Sequence, residues 1–355
     1  MVHNLPLQEA TMRTDETAPR RGRFLLRAVA LLYLLALLVL LGLVYGPGEG
    51  LWPITVFLFG PRLLVALPLL VLALVAALVD RPLLGLLVLV GLGLAGPLFG
   101  FNVPWRGLVS GGHDASAPAL RLITWNVGTA GLEARELEHL LTRERPDVVV
   151  LQECHAEVMD VAGEWHRHFN GKMCLLSRFP VLEVAVRDRS DMWARAGSGA
   201  ILRYALETPA GRVDLTHVHL ETPREGLEEL LGSGLAGVET LRAKNRQREI
   251  EARLARAWAA ASPGPLHLVA GDFNTPVESS LFREYWRGFR DCHSEAGWGF
   301  GFTKRTRRIG ARIDHILAGP GWRCLDTRVV AGMDGDHAPL VALVAATPAT
   351  SATPR

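Results

Sequence analysis

The chain has 355 residues, 49% of them hydrophobic, with a formal charge of +2 and four cysteines. Its mean hydropathy of +0.19 exceeds what a soluble enzyme needs, and its length leaves room for more than one domain. Of 38 basic and 36 acidic residues, seven and five precede Asn102, leaving 31 of each beyond it. That balance argues against a protein gripping long stretches of nucleic acid, though a local basic patch is compatible with it.

Residues 1–23 read as a cytoplasmic tail. Phe24–Tyr45 is an apolar run interrupted only by Arg27, long enough to cross a bilayer as a helix. Leu63–Val79 forms a second run, which Ile54–Gly60 could lengthen, and Leu83–Phe101 a third. Pro68 and the glycines are tolerated in membrane helices. A cleaved signal peptide is the competing reading of the first run, but it lacks a convincing cleavage site and further spans follow. Arg20, Arg21, Arg23 and Arg27 predict a cytoplasmic N-terminus, so three crossings leave the C-terminal domain outside. Residues 102–119 read as a linker, 120–346 as the catalytic domain and 347–355 as a disordered tail.

From Leu120 onward, strand patterns alternate with helical ones. Strands are predicted at Leu120–Trp125, Asp147–Leu151, Lys172–Leu176, Ala200–Tyr204, Arg212–Leu220, His267–Ala270, Arg312–Leu317 and Leu340–Val344. Helices are predicted at Glu133–Arg145 and at Lys244–Ala260, the latter with its Arg and Glu residues outward. Mixed elements of this kind suit a layered α/β sandwich. Cys154, Cys174, Cys292 and Cys324 lack metal-ligand spacing and are too few for a disulfide framework. They read most simply as small buried residues, with one bridge open in an oxidising compartment.

Polar residues recur at strand ends. Asn126 follows LRLITW, Glu153 follows DVVVLQ, His219 ends DLTHVHL, and Asp272 with Asn274 ends HLVAGDFN. Asp314 and His315 sit in ARIDHIL, and Asp336 and His337 in DGDHAPL. Strand termini on one rim can bring such groups together on a rigid frame. Each also has a duller explanation as a turn residue or a satisfied core group. Carboxylates and amides without a cysteine cluster favour Mg²⁺, or Mn²⁺, over Zn²⁺. Such a site serves phosphate chemistry.

The ordered motifs TWN (Thr124–Asn126), LQE (Leu151–Glu153), LLSRFPV (Leu175–Val181), VHL (Val218–Leu220), GDFN (Gly271–Asn274), RIDHI (Arg312–Ile316) and GDHAPL (Gly335–Leu340) resemble the endonuclease/exonuclease/phosphatase superfamily. The resemblance covers residues 120–345 and implies a four-layer α/β/β/α sandwich of the deoxyribonuclease I-like kind, here preceded by an all-α segment of three transmembrane helices. It implies Glu153 as the main metal ligand with Asn126 beside it, and Asp336 within reach of the metal. Asp272 would activate water, Asn274 would hold a phosphoryl oxygen, and Asp314 would orient His337. His219 matches the second site histidine, although His217 shares its strand face and could replace it. Arg178 reads as a loop support with substrate contact as its alternative, Arg312 is a candidate substrate contact, and Lys304, Arg305, Arg307, Arg308 and Arg312 form a run that is either solvated or an anion-gathering lip.

The reading is a membrane-anchored, Mg²⁺-dependent hydrolase of phosphate esters or pyrophosphates. Anchoring favours a lipid-linked phosphate at the outer membrane face. The layout also resembles bacterial membrane phosphoesterases associated with teicoplanin-type resistance. An extracytoplasmic nuclease, a sphingomyelinase-like phospholipase and a catalytically dead scaffold are the alternatives, and no protein partner is inferred.

Overall fold

The computed structural model describes residues 17–105, 117–128, 132–187, 199–262, 264–306 and 309–347. The apolar N-terminal runs form α1 (Thr17–Tyr45), α2 (Trp52–Phe59), α3 (Leu67–Val79) and α4 (Arg81–Ala95). Pro53, Pro68 and Pro82 each fall in a first helical turn, where no intrahelical N–H partner is lost. The chain divides into two units, residues 1–40 with 65–93, and residues 41–64 with 94–355.

In the first unit Arg27 Nε donates to Asp80 Oδ2 at 2.6 Å, and the Tyr33 hydroxyl donates to the Val65 carbonyl. Two stretches, Arg20–Tyr45 and Arg62–Val79, are long and apolar enough to cross a membrane, and little of either is buried. The third differs from the expected Leu83–Phe101 span. It stops at Ala95, before Gly96-Pro97, and its 15 residues reach about 22 Å, short of the ~30 Å hydrocarbon core. Ile54–Gly60 does not lengthen the second span either. Gly60-Pro61 interrupts it, and α2 belongs to the second unit.

The second unit is built on two six-stranded sheets. The first has the order β13 (Trp322–Val329), β14 (Leu340–Ala346), β1 (Ala119–Asn126), β2 (Val148–Gln152), β4 (Met173–Ser177), β3 (His166–Asn170). The second has the order β5 (Val181–Val186), β6 (Ala200–Thr208), β7 (Gly211–His219), β8 (His267–Asp272), β12 (Asp314–Ala318), β9 (Arg290–Asp291). A small hairpin joins β10 (Lys304–Arg305) to β11 (Gly310–Ala311).

Strand alternation assigns each apolar side chain to a layer. Leu122, Val148 and Val150 meet Leu202, Leu215 and Ile316 between the sheets. Ile123, Trp125 and Val149 face outward onto Leu137, Leu140 and Leu141 of α5 (Ala134–Glu144). On the far side Val218, Val269 and Phe273 pack with Ala255 and Ala259 of α7 (Val238–Ala260) and with Phe282 of α8 (Ser280–Tyr285). The result is an α/β sandwich of two sheets with helices on both outer faces. The remaining helices are α6 (Arg224–Ser233) and α9 (Cys292–Ala296).

Two sequence expectations fail here. All four cysteines pair, as Cys154–Cys174 and Cys292–Cys324. The first bridge joins the end of β2 to its neighbour β4, and the second joins α9 to β13, contacts that no sequence spacing displays. In α7, Arg248 and Glu251 point inward rather than to solvent. Glu251 accepts from the backbone N–H groups of Gly199 and Glu221. Arg248 Nη1 lies 2.8 Å from Glu49 Oε1 in a pair almost wholly buried. Around it the 41–64 segment is seated by Asn245 Nδ2 on Thr55 Oγ1 at 2.7 Å and by Arg62 on Glu278 at 3.0 Å.

His217 is fully buried between the sheets, 2.8 Å from Gln152 Nε2. Burial pushes its pKa down to about 3, with the neighbouring imidazoles of His219 and His168 adding to the effect. In the unfolded chain it protonates near the ordinary value of about 6.5. It therefore stabilises the fold fully above that pH, and the contribution is lost as pH falls toward 3. His217→Gln should flatten the dependence of folding stability on pH by about 1.4 kcal/mol per unit between pH 6 and 4. Denaturant titrations of both proteins in one detergent check this, and identical slopes would refute it.

Candidate active site

Strand register assembles the rim. In the first sheet Asn126 pairs with Gln152, which places Asn126 beside Glu153 at the start of the following turn. In the second, His219 pairs with Asp272 in parallel and Asp314 pairs with Asp272 in antiparallel register. His337 precedes β14 and reaches the same rim through its side chain. Asn126 bridges the two sheets. Its Nδ2 donates to Glu153 Oε1 and to Asp272 Oδ2, each at 3.0 Å, while its Oδ1 accepts from Gly128 N at 3.0 Å. His219 Nε2 lies 3.8 Å from Glu153 Oε1 and 4.0 Å from Asp272 Oδ2.

Local backbone is specialised at the same positions. Glu153 and Asn274 adopt left-handed φ values of 57° and 47°. Asparagine tolerates that region, but glutamate does so at a cost of about 1 kcal/mol or more, as is common where a side chain must be aimed. Asn274 is held by its N–H on Asp272 Oδ1 at 2.8 Å and by its Nδ2 on the Leu220 carbonyl at 2.8 Å. Gly271 has φ 149°, and a Cβ there would lie 1.8 Å from the Val218 carbonyl oxygen. Only glycine lets β8 approach β7 closely enough to align Asp272 with His219.

Asp272, Asp314 and His337 form a buried cluster. His337 Nδ1 is 2.9 Å from Asp314 Oδ2, and its Nε2 is 3.9 Å from Asp272 Oδ2. Desolvation raises the Asp272 pKa, and the Asp314 charge raises it further against the opposing pull of His337 and His219. Asp314 is lowered. Burial opposes its charge, but His337 outweighs burial. His337 is raised, since Asp314 and Asp272 together overcome its own desolvation. With Nδ1 committed to Asp314, the His337 ring is held with Nε2 turned toward Asp272 and Lys304. The carboxylates placed to hold a divalent cation are Glu153, part-exposed at the cleft, and Asp272; Asn126, expected as a ligand, turns its Nδ2 toward both of them and its Oδ1 to Gly128 N.

The sequence candidates thus divide. Asn126, Glu153, His219, Asp272, Asn274, Asp314 and His337 converge. Asp336 is half-exposed and stands at the edge, 2.7 Å from Lys304 Nζ, so its carboxylate is taken up by an ammonium. His217 lies deeper between the sheets, two residues back from the rim. Arg178 and Arg312 are not brought in. Arg178 follows Ser177, which pairs with Val148 at the opposite end of β2 from Glu153, and its guanidinium covers Trp165. Arg312 is buried, with Nη1 2.9 Å from both Asp291 Oδ1 and His293 Nδ1. His315 joins the same network through Asp291 at 2.9 Å. Within the basic run, Arg307 and Arg308 lie outside the described residues.

Lys304 was visible in the sequence only as one member of that run. The β10–β11 hairpin folds it back so that Lys304 bridges to His337, with Nζ 2.9 Å from His337 Nε2. Its distinguishing feature is this long-range pairing, for which the local sequence carries no signal.

A two-sheet α/β sandwich whose facing strand ends carry carboxylates, amides and paired histidines defines a phosphoesterase-type site. The chain belongs to the Endonuclease/Exonuclease/phosphatase family, whose sequence profile matches residues 123–337, and it is a metal-dependent hydrolase of phosphoester bonds. No curated protein sequence matches it. Solved structures with a similar fold include TDP2 from D. rerio complexed with single-strand DNA product, at 17% identity and TM-score 0.48, covering 65% of this chain and 99% of that one. A 3′ phosphatase, NExo, from Neisseria bound to a product DNA hairpin has 19% identity and TM-score 0.47, covering 63% and 98%. An endonuclease/exonuclease/phosphatase from Beutenbergia cavernae has 16% identity and TM-score 0.48, covering 65% and 72%.

Gly271→Ala should lower folding stability by about 3 kcal/mol and cut activity beyond that loss, because the β7–β8 register sets the Asp272 position. Thermal melts paired with assays on the folded fraction test this. Unchanged stability would show that the two strands can separate without cost.

Proposed function

We propose that the protein is a membrane-anchored phosphoesterase acting on a lipid-linked phosphate or pyrophosphate at the outer face of the membrane, with Mg²⁺ as its ion. The single observation carrying the catalytic part is the convergence of Asn126, Glu153, Asp272 and His337 from two sheets onto one rim. Glu153 would hold the cation, with Asn126 steadying its carboxylate through Nδ2; the cation when bound would offset charge developing on a phosphoryl oxygen. Asp272, made more basic by burial, accepts a proton from the attacking water. Asn274 positions a phosphoryl oxygen, and His219 supports the same face. Asp314 keeps the proton of His337 on Nδ1, leaving Nε2 to face the phosphate alongside Lys304. Attack is in line at phosphorus, with no covalent enzyme intermediate.

Anchoring is supported by two long, exposed apolar helices, whose surfaces present residues such as Leu32, Leu74 and Leu78. The Arg27–Asp80 pair fits a first and a second span whose cytoplasmic ends meet, as the positive N-terminal residues predict. Two disulfides fit an oxidising compartment outside the cytoplasm. The resemblance to membrane phosphoesterases of teicoplanin-type resistance points to the same class of substrate. An extracytoplasmic nuclease is the second reading, favoured by the family's chemistry and disfavoured by the even charge balance of residues 102–355.

The full chain in detergent should hydrolyse a phosphoester only with Mg²⁺ or Mn²⁺ present, and Glu153→Ala should lower kcat/KM by about 100-fold or more. Full activity in EDTA would reject the metal. For orientation, a C-terminal alkaline-phosphatase fusion should be active in whole cells. A silent fusion together with a fluorescent cytoplasmic reporter would reverse the topology.

A further inference from the structure

Adjoining the rim is a cavity of about 320 Å³, partly open to solvent. Asn274, Lys304 and Asp336 of the site contribute to its wall. The same wall carries the apolar Phe59, Leu227, Leu231, Ile309 and Ile313. Leu227 and Leu231 stand four residues apart on α6 and so share a face. Leu231 is 88% exposed, a leucine without a covering partner. Phe59 is the last residue of α2, in the segment between the two long apolar helices. It does not drift there: its ring lies 5.0 Å from the Arg248 guanidinium, which is itself locked by Glu49.

We infer that this cavity is a hydrocarbon subsite, receiving the chain segment next to the phosphate of a lipid phosphate while the headgroup occupies the rim. The inference rests on the phosphoesterase reading above and adds the substrate element that the catalytic residues do not specify. Three features select this occupant. Apolar side chains adjoin a phosphate-handling site directly, so headgroup and chain are bound in one continuous surface. The charges lining the cavity cancel, with Lys304 and Arg224 against Asp336 and Glu228. Moreover, Lys304 is already paired with Asp336 at 2.7 Å and Arg224 stands 3.9 Å from the same carboxylate. Among the described lining residues a polyanionic strand would find no surplus of positive charge, whereas a single headgroup followed by hydrocarbon needs none. Finally, Phe59 comes from the apolar α2, within the same unit as the site, and adds an aromatic face to the wall.

The test uses the full chain in detergent with Mg²⁺ and reads a ratio, kcat/KM for a lipid phosphate over kcat/KM for p-nitrophenyl phosphate. Dodecyl phosphate and farnesyl phosphate serve as separate probes, which distinguishes a straight acyl-type chain from a branched prenyl one. Wild type should prefer at least one lipid probe by tenfold or more. Leu231→Ser and Leu227→Ser should each lower that ratio by about three- to tenfold, and the double variant by more. Leu235→Ser, exposed but outside the cavity, should leave the ratio unchanged. The exposure of Leu231 keeps its replacement from threatening the fold. A wild-type preference that survives the double variant overturns the subsite while leaving the lipid reading intact. A wild type without lipid preference, or one preferring a single-stranded oligonucleotide, overturns the lipid reading and the subsite together.

Discussion

Two carboxylates in direct register, Asp272 and Asp314, are buried side by side at the ends of adjacent strands. Repulsion and desolvation make that arrangement costly unless a compensating group is aimed at it. His337 supplies the compensation, bound to Asp314 and within 4 Å of Asp272. Much of the site follows from this constraint. The proton of His337 stays on the nitrogen facing Asp314, Asp272 is left as the more basic carboxylate, and Asn126 ties Asp272 to Glu153 across the gap between sheets. Lys304 closes the outer side, linking His337 to Asp336. The candidate site is a solution to an electrostatic problem that the strand register creates.

The 41–64 segment belongs to this architecture rather than to a passive tether. Its Glu49 is buried against Arg248, and Arg248 also donates to the carbonyl of Asn274 and to Thr275 Oγ1. Removing either partner of a buried ion pair leaves an uncompensated charge, at a typical cost of 3–5 kcal/mol. Because Asn274 sits in a left-handed conformation at the rim, that loss would be felt at the candidate site. An excised fragment beginning after the apolar helices would lack Glu49, Thr55, Phe59 and Arg62 together. For the same reason, the full chain is the proper object for assays.

How much was legible in advance depended on the range of the interactions. Alternating and continuous apolar patterns determined β1, β2, β8 and β14 and the helix over Ala134–Glu144 to within a residue or two, because burial on a sheet or helix face imposes a local period. Polar residues interrupting those patterns at strand ends, from Asn126 to His337, marked the candidate site by their recurrence, although each one alone reads as well as a turn residue or a satisfied core group. Edge strands β3, β5 and β13 were missed, their exposed faces carrying weaker patterns.

Everything set by pairing between distant segments emerges only in the packed fold. Arg178 and Arg312 looked like anion contacts because their type and neighbourhood fitted. Antiparallel pairing sent the first to the far end of its sheet, and a buried network with Asp291 and His293 enclosed the second. Arg248 followed the outward pattern of its helix in sequence, yet faced inward to meet a glutamate 199 positions away. The cysteine pairs, the role of Lys304 at His337 and the wall provided by Phe59 depend likewise on contacts across the fold. Local periodicity encodes which face of an element is buried. Which partner it meets there is a property of the packed chain, because charge and shape complementarity are satisfied only once the sheets and helices have come together.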